Sequence, residues 1–140
     1  MRNRTFATLG LLALLATASA FGQQHRGTFD IPFEFSAGGK SMPAGQYEVT
    51  QATGLGSMEL TCSACKAGVL SVTHPVGSYD TSISESRLVF NRYGDRYFLS
   101  SVSWPGSGVA STLPKSKIER HFVVEASLAP TSQVVLVARR

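Results

Sequence analysis

The sequence predicts a mainly β protein: a single β-sandwich or small barrel of about seven strands, with one C-terminal helix before the last strand. Three observations predict it. Apolar residues alternate with polar ones in short runs, as in Thr28-Phe-Asp-Ile-Pro-Phe-Glu-Phe35. Gly, Pro, Ser and Asp punctuate those runs at close intervals. Only the stretch after Ser116 carries helical spacing, so the βαβ alternation of a parallel sheet does not occur.

Residues 1–20 read as an address rather than as structure. Arg2 and Arg4 give a positive start, Phe6 to Ala16 is an apolar run rich in Leu and Ala, and Ala18-Ser-Ala20 supplies the small residues of a cleavage site. The run is shorter than the roughly 20 residues needed to cross a bilayer. The expectation is a signal peptide cleaved after Ala20, leaving residues 21–140 as a single β-domain, secreted or periplasmic, with no membrane span. The cysteine that a lipid anchor requires does not follow the cut.

Composition bounds the function. The chain has 13 basic and 9 acidic residues in 140, a net charge of +4. Removing Arg2 and Arg4 with the signal lowers it to +2, and the remaining basic residues are scattered, which excludes a nucleic-acid-binding stripe. A hydrophobic fraction of 43% excludes a disordered tail. The secreted part is long enough to hide about two-thirds of its unfolded surface around one core.

In the first expected strand, Phe29, Ile31, Phe33 and Phe35 form one aromatic face, and Pro32, without an amide donor, places the strand at a sheet edge. Ser36 to Gly45 reads as a turn region. Tyr47 and Val49 mark a second strand, Met58 and Leu60 a third, and Val69 to Thr73 a fourth. Residues 74–86 are polar and turn-rich, with a short strand starting near Ile83.

Arg87–Tyr93 and Arg96–Trp104 form the clearest hairpin. Gly94-Asp95 between them favours a type II′ turn, which pairs Tyr93 with Arg96 and Phe90 with Leu99. Leu88, Phe90, Tyr97 and Leu99 then share one face, and Val89, Tyr93, Phe98, Val102 and Trp104 the other. Two apolar faces predict a central hairpin covered on both sides. Ser116-Lys-Ile-Glu119 fits a capping box, and Ile118, Phe122 and Ala126 recur every four residues, predicting a helix from Lys117 to Leu128 before Pro130. Val134 to Ala138 is the last strand.

Candidate chemistry is sparse. Cys62-Ser-Ala-Cys65 holds the two cysteines of the chain, and in an exported protein they are most simply a disulfide across a hairpin. The alternative is a thiol–disulfide redox pair, but such pairs need the first cysteine at a helix N-terminus, and Ala67-Gly-Val69 is a poor helix. A zinc site would add His74 and His121, which lack the spacing of a second ligand pair. His25 is expected in solvent, and His121 on the helix surface.

Neither GxSxG nor HExxH occurs, and Gly106-Ser-Gly108 reads as a turn. Asp30 and Glu34 lie on one strand face as a glycosidase pair would, yet a solvated face explains them better. Arg87, Arg92, Arg96 and Tyr97 form a basic-aromatic hairpin in which Arg92 over Tyr97 is an ordinary cation–π contact. Catalytic, cofactor and metal residues are therefore all expected to be absent.

Four segments carry a resemblance: Ile31-Pro-Phe-Glu-Phe35, Met42-Pro-Ala-Gly-Gln-Tyr-Glu-Val49, Leu88-Val-Phe-Asn-Arg-Tyr-Gly-Asp-Arg-Tyr-Phe-Leu99 and Leu113-Pro-Lys-Ser-Lys-Ile-Glu-Arg120. In order and spacing, across nearly all of residues 28–138, the chain resembles a family of small exported proteins of acidobacteria-like soil bacteria. That family has no established activity, so the resemblance implies no catalytic residue. The Cys62–Cys65 pair departs from its usual apolar or glycine-rich pattern. The function expected is a non-enzymatic exported module, binding or structural, with a glycan or an envelope protein as partner. The other readings are a small thiol–disulfide exchanger and a barrel with an apolar ligand cavity.

Overall fold

The computed structural model describes residues 24–52, 56–77, 82–125 and 132–139. The described chain is mainly β and folds as two sheets, antiparallel but for one short pairing, rather than a closed barrel. The first sheet has the order β1 (Gln24–Ile31), β4 (Gly45–Ala52), β5 (Ser57–Cys62), β6 (Ala67–Val72). The second runs β11 (Ser132–Val137), β8 (Arg87–Tyr93), β9 (Arg96–Ser103), β10 (Val109–Thr112), β7 (His74–Gly77). A small hairpin of β2 (Phe35–Ala37) and β3 (Lys40–Met42) joins the second sheet through a parallel pairing of Phe35 with Tyr97 and Ser36 with Phe98.

The alternating aromatic run holds as a burial pattern and fails as one strand. Phe29 and Ile31 are buried on β1, which is an edge strand. The strand stops at Ile31, because Pro32 cannot donate to a ladder, and the chain crosses so that Phe35 enters the second sheet. Asp30 and Glu34 therefore do not share a strand. The expected turn region 36–45 contains the β2–β3 hairpin, turned by Gly38 and Gly39. The strand expected near Ile83 does not form; the added strand is β7, earlier in that segment. The short strands β2, β3, β7 and β10 bring the described strands to eleven, more than alternation predicts.

The core lies between the sheets. Tyr47, Val49, Met58 and Leu60 from the first sheet meet Leu88, Phe90, Leu99 and Val102 from the second, all buried. Phe35 ties the two halves, edge-on to both Tyr47 and Phe90 at 5.2 and 5.3 Å between centroids. Such aromatic pairs add about 0.5–1.5 kcal/mol each beyond their burial.

The β8–β9 hairpin forms with the expected register, Tyr93 opposite Arg96 and Phe90 opposite Leu99. Gly94 has φ +63°, and no neighbouring side-chain position with positive φ is needed, which fits the type II′ turn. Gly94→Ala should lower stability by about 1 kcal/mol, because alanine adopts that φ only under strain. Denaturant unfolding checks this; an unchanged midpoint would mean the turn rearranges at no cost.

Beyond Phe90 the register slips. Val89 pairs with Ser101 and Leu88 with Val102, so Ser100 is the extra residue of a β-bulge. A one-residue slip flips every later side chain to the opposite face. Val102 and Trp104, expected beside Phe98, thus point into the core, while Tyr93 and Phe98 keep the outer face. Trp104 reaches the first sheet because Gly27 has no side chain: a Cβ there would lie 3.2 Å from the indole ring.

The single helix of the described residues, α1 (Lys117–Glu125), covers the outer face of the hairpin. The Glu119 amide donates to Ser116 Oγ at 3.1 Å, as the capping box requires. The expected apolar stripe differs. Ile118 is exposed, and Glu119 is buried in its place. Ala126 and the helix end at Leu128 lie outside the described residues, as do residues 1–20.

Candidate functional site

Cys62 and Cys65 come together at the tip of the β5–β6 hairpin, with sulfurs at bonding distance and Cα atoms 5.4 Å apart. A two-residue turn at Ser63-Ala64 would set Cys62 directly opposite Cys65; the ladder instead leaves residues 63–66 in the loop. Cys62 pairs with Ala67, so Cys65 sits inside the loop and the chain turns through Lys66 at φ +50°. The Cys65 amide donates to Cys62 Sγ at 3.2 Å, and the Tyr47 hydroxyl lies 3.7 Å from Cys65 Sγ while donating to the Pro43 carbonyl at 2.7 Å. Burial raises the Tyr47 pKa above its ordinary value.

Cys62 ends a strand, not a helix, and is buried. A bridge closing so short a loop stabilises by about 2 kcal/mol in the chain-entropy account. Replacing both cysteines by alanine should therefore lower the unfolding free energy by about that amount. A loss twice as large would show that the bridge organises more than its own loop.

The same hairpin supplies one wall of an open groove of about 730 Å³. In an antiparallel ladder, alternate residues direct their backbone groups to opposite sides of the strand. Thr73 donates to the Gly56 carbonyl at 2.7 Å, so Thr73, Ser71 and Val69 face β5. Gly68, Leu70 and Val72 then direct N–H and C=O outward from β6, the edge of the first sheet. Lys40 Nζ, donating to the Gly68 carbonyl at 2.9 Å, confirms that direction.

Leu70 is 71% exposed, Val72 59% and Ile118 47%. The opposite wall is the approach to α1, where Lys115, Lys117 and Arg120 line the groove and are exposed. Ser116 caps the start of α1 on this wall, accepting from the Glu119 and Arg120 amides.

The helix is tethered by a buried polar chain. Glu119, 4% exposed, accepts on Oε1 from the Tyr93 hydroxyl at 3.0 Å and from Asn91 Nδ2 at 3.2 Å; Gln133 Nε2 donates to Asn91 Oδ1 at 3.3 Å. Burial above all, then the hydrogen bond to Glu119 and that residue's negative charge, push the Tyr93 pKa up to about 12. The native state holds this proton more tightly than the unfolded chain, whose tyrosines titrate near pH 10. The stabilisation is complete below pH 10 and is lost as pH rises from 10 towards 12. By pH 11 the loss should be about 1.4 kcal/mol relative to pH 8, and Tyr93→Phe should lack that loss. Urea unfolding at the two pH values measures it; equal losses in both proteins would remove Tyr93 as the cause.

No protein-family model, curated protein or solved structure matches the chain. Its site is therefore read from its own residues.

Of the residues singled out from the sequence, the structure brings together Cys62 with Cys65 and Arg92 with Tyr97, the guanidinium 5.5 Å from the ring centroid. The other ring contacts of Tyr97 are internal too, since Phe33 stacks on it at 3.9 Å. Arg96 lies over Phe122 at 4.8 Å. Asp30 meets Arg139 at 3.3 Å, and Glu34 accepts from Ser41 Oγ at 2.7 Å, so the two carboxylates serve separate contacts.

His74 starts β7 and His121 lies on α1; among the described residues no three His, Cys, Asp or Glu side chains gather as a metal site. His25, expected in solvent, stacks on Trp104 at 5.4 Å and is half-buried. The Ser107 amide donates to the Trp104 carbonyl at 3.2 Å, and its hydroxyl lies 2.9 Å from both the Trp104 and the Val109 carbonyl oxygens, with one proton to give to either, so Ser107 closes a turn.

Sequence reasoning missed the groove. Leu70 and Val72 read only as part of a strand, Ile118 and Lys117 as marks of the helix, and Lys115 and Arg120 only within a resemblance motif, so nothing joins them into one surface. The available signal was Leu70 beside Val69: in an alternating strand one of two adjacent apolar residues must face out.

Proposed function

We propose that the protein is an exported, non-enzymatic β-domain that works as a binding module of the envelope or extracellular space. The observation that carries this reading is the groove beside β6, where Leu70, Val72 and Ile118 are all exposed around one hollow. Large apolar side chains gathered on a surface beside polar neighbours mark contact sites. The export half of the reading rests on Arg2, Arg4, the apolar run after them and Ala18-Ser-Ala20. Cys62 and Cys65 at disulfide distance suit an oxidising compartment.

A photo-crosslinking side chain placed at Leu70 tests the reading in exporting cells, with Val135 on β11 as the control position. The expected result is a discrete conjugate from Leu70 that position 135 does not give, in the secreted or periplasmic fraction, with a mature N-terminus after Ala20. No conjugate from Leu70, together with catalytic turnover of a dithiol substrate, would replace the reading by thiol–disulfide exchange at Cys62 and Cys65.

A further inference from the structure

We infer that the β6 edge and its basic wall take an extended segment of a partner polypeptide that alternates apolar side chains with carboxylates. The inference rests on the binding-module reading and names its ligand. The backbone comes first. Leu70 and Val72 direct N–H and C=O groups outward in the spacing of a strand, next to a Gly68 carbonyl that Lys40 Nζ already holds, and β6 is paired with one strand only among the described residues. A strand edge of this kind is satisfied by an added strand, which gains main-chain hydrogen bonds while its side chains supply specificity.

The side chains then set the occupant. Successive residues of an added strand point to opposite faces. Those on the face of Leu70 and Val72 continue the exposed apolar strip of β6 and are best apolar themselves. Those on the other face look across the groove to the approach to α1. Lys115, Lys117 and Arg120 line that wall, and among the described residues no acidic side chain lines the groove. Carboxylates at alternate positions complement those cations, and lysines there would be repelled. A second copy of this chain pairing edge to edge through β6 would bring two sets of the same cations together, which disfavours self-association on charge.

Two capped heptapeptides test this on the purified protein, one alternating glutamate with valine and one alternating lysine with valine. The expected result is binding of the glutamate peptide with slowed amide exchange at Leu70 and Val72, and roughly tenfold weaker binding at ~0.3 M salt than at low salt. The lysine peptide should bind at least roughly tenfold more weakly than its glutamate counterpart. Lys115→Glu with Lys117→Glu should reverse that preference; both residues are exposed, so thermal unfolding should stay unchanged.

Equal binding of the two peptides, protection at other strands, or a dimer protected at β6 without peptide would each overturn the inference. So would binding of neither peptide. In that case a Leu70 conjugate in cells would leave the binding-module reading standing, and its absence would remove both.

Discussion

Gln51→Ala is expected to lower the unfolding free energy by about 3–4 kcal/mol, a large part of the roughly 5–15 kcal/mol of an ordinary domain. Gln51 is buried on β4, yet its amide serves three other segments. Oε1 accepts from Trp104 Nε1 at 2.6 Å, and Nε2 donates to Ser111 Oγ at 2.8 Å and to Thr73 Oγ1 at 3.2 Å. Trp104 and Ser111 belong to the second sheet and its connections, so one side chain joins the two layers through hydrogen bonds rather than through apolar contact alone.

Indole N–H is a donor with no second role, and once its acceptor is removed it stays buried and unpaired, at about 1–3 kcal/mol. The void left by the side chain adds the remainder. Gln51→Leu separates the two contributions, since it fills the space and still strands the donor. A double-mutant cycle with Trp104→Phe should return a coupling of about 1–2 kcal/mol. Additive effects would show that water has taken the place of the amide.

Glu119→Ala should cost about 3 kcal/mol and loosen α1 from the hairpin. It removes the acceptor shared by Tyr93 and Asn91, two residues on the outer face of β8. Glu119→Gln retains a carbonyl oxygen in that place and should cost no more than about 1 kcal/mol. Amide exchange across 117–125 distinguishes a local from a global effect: the alanine variant should exchange faster there while the β4–β5 pairs stay protected. Equal protection of α1 in both variants would show that Phe122, packed between Phe98 and Arg96, holds the helix without the carboxylate.

Glu119 also shows why part of the structure was legible and part was not. The sequence signals its cap correctly: Ser116 three residues earlier accepts the amide hydrogen bond. The reciprocal half of the box does not follow, because the carboxylate turns towards the hairpin instead. Local spacing identifies a helix start from groups within one turn of each other. Which face of that helix is buried depends on what lies beneath it, and here Tyr93 and Asn91 offer donors that Ile118 cannot use.

The groove obeys the same logic. That Leu70 faces outward follows from alternation. That β6 has one strand neighbour among the described residues and looks onto three cations follows from the order of strands, which no window of sequence contains.

Short-range physics sufficed for the inward residues of the longer strands, the Gly94 turn, the helix start and the nearness of Cys62 to Cys65. Each is decided by groups a few positions apart, through pleat, allowed φ or loop length. Only the tertiary structure decided that Pro32 sends the chain into the other sheet, that Ser100 bulges and turns Val102 and Trp104 inward, and that β6 is the last strand of its sheet among the described residues. Those outcomes are set by competition between distant partners for the same hydrogen bonds and the same apolar surface, and that competition is resolved only once the two sheets pack.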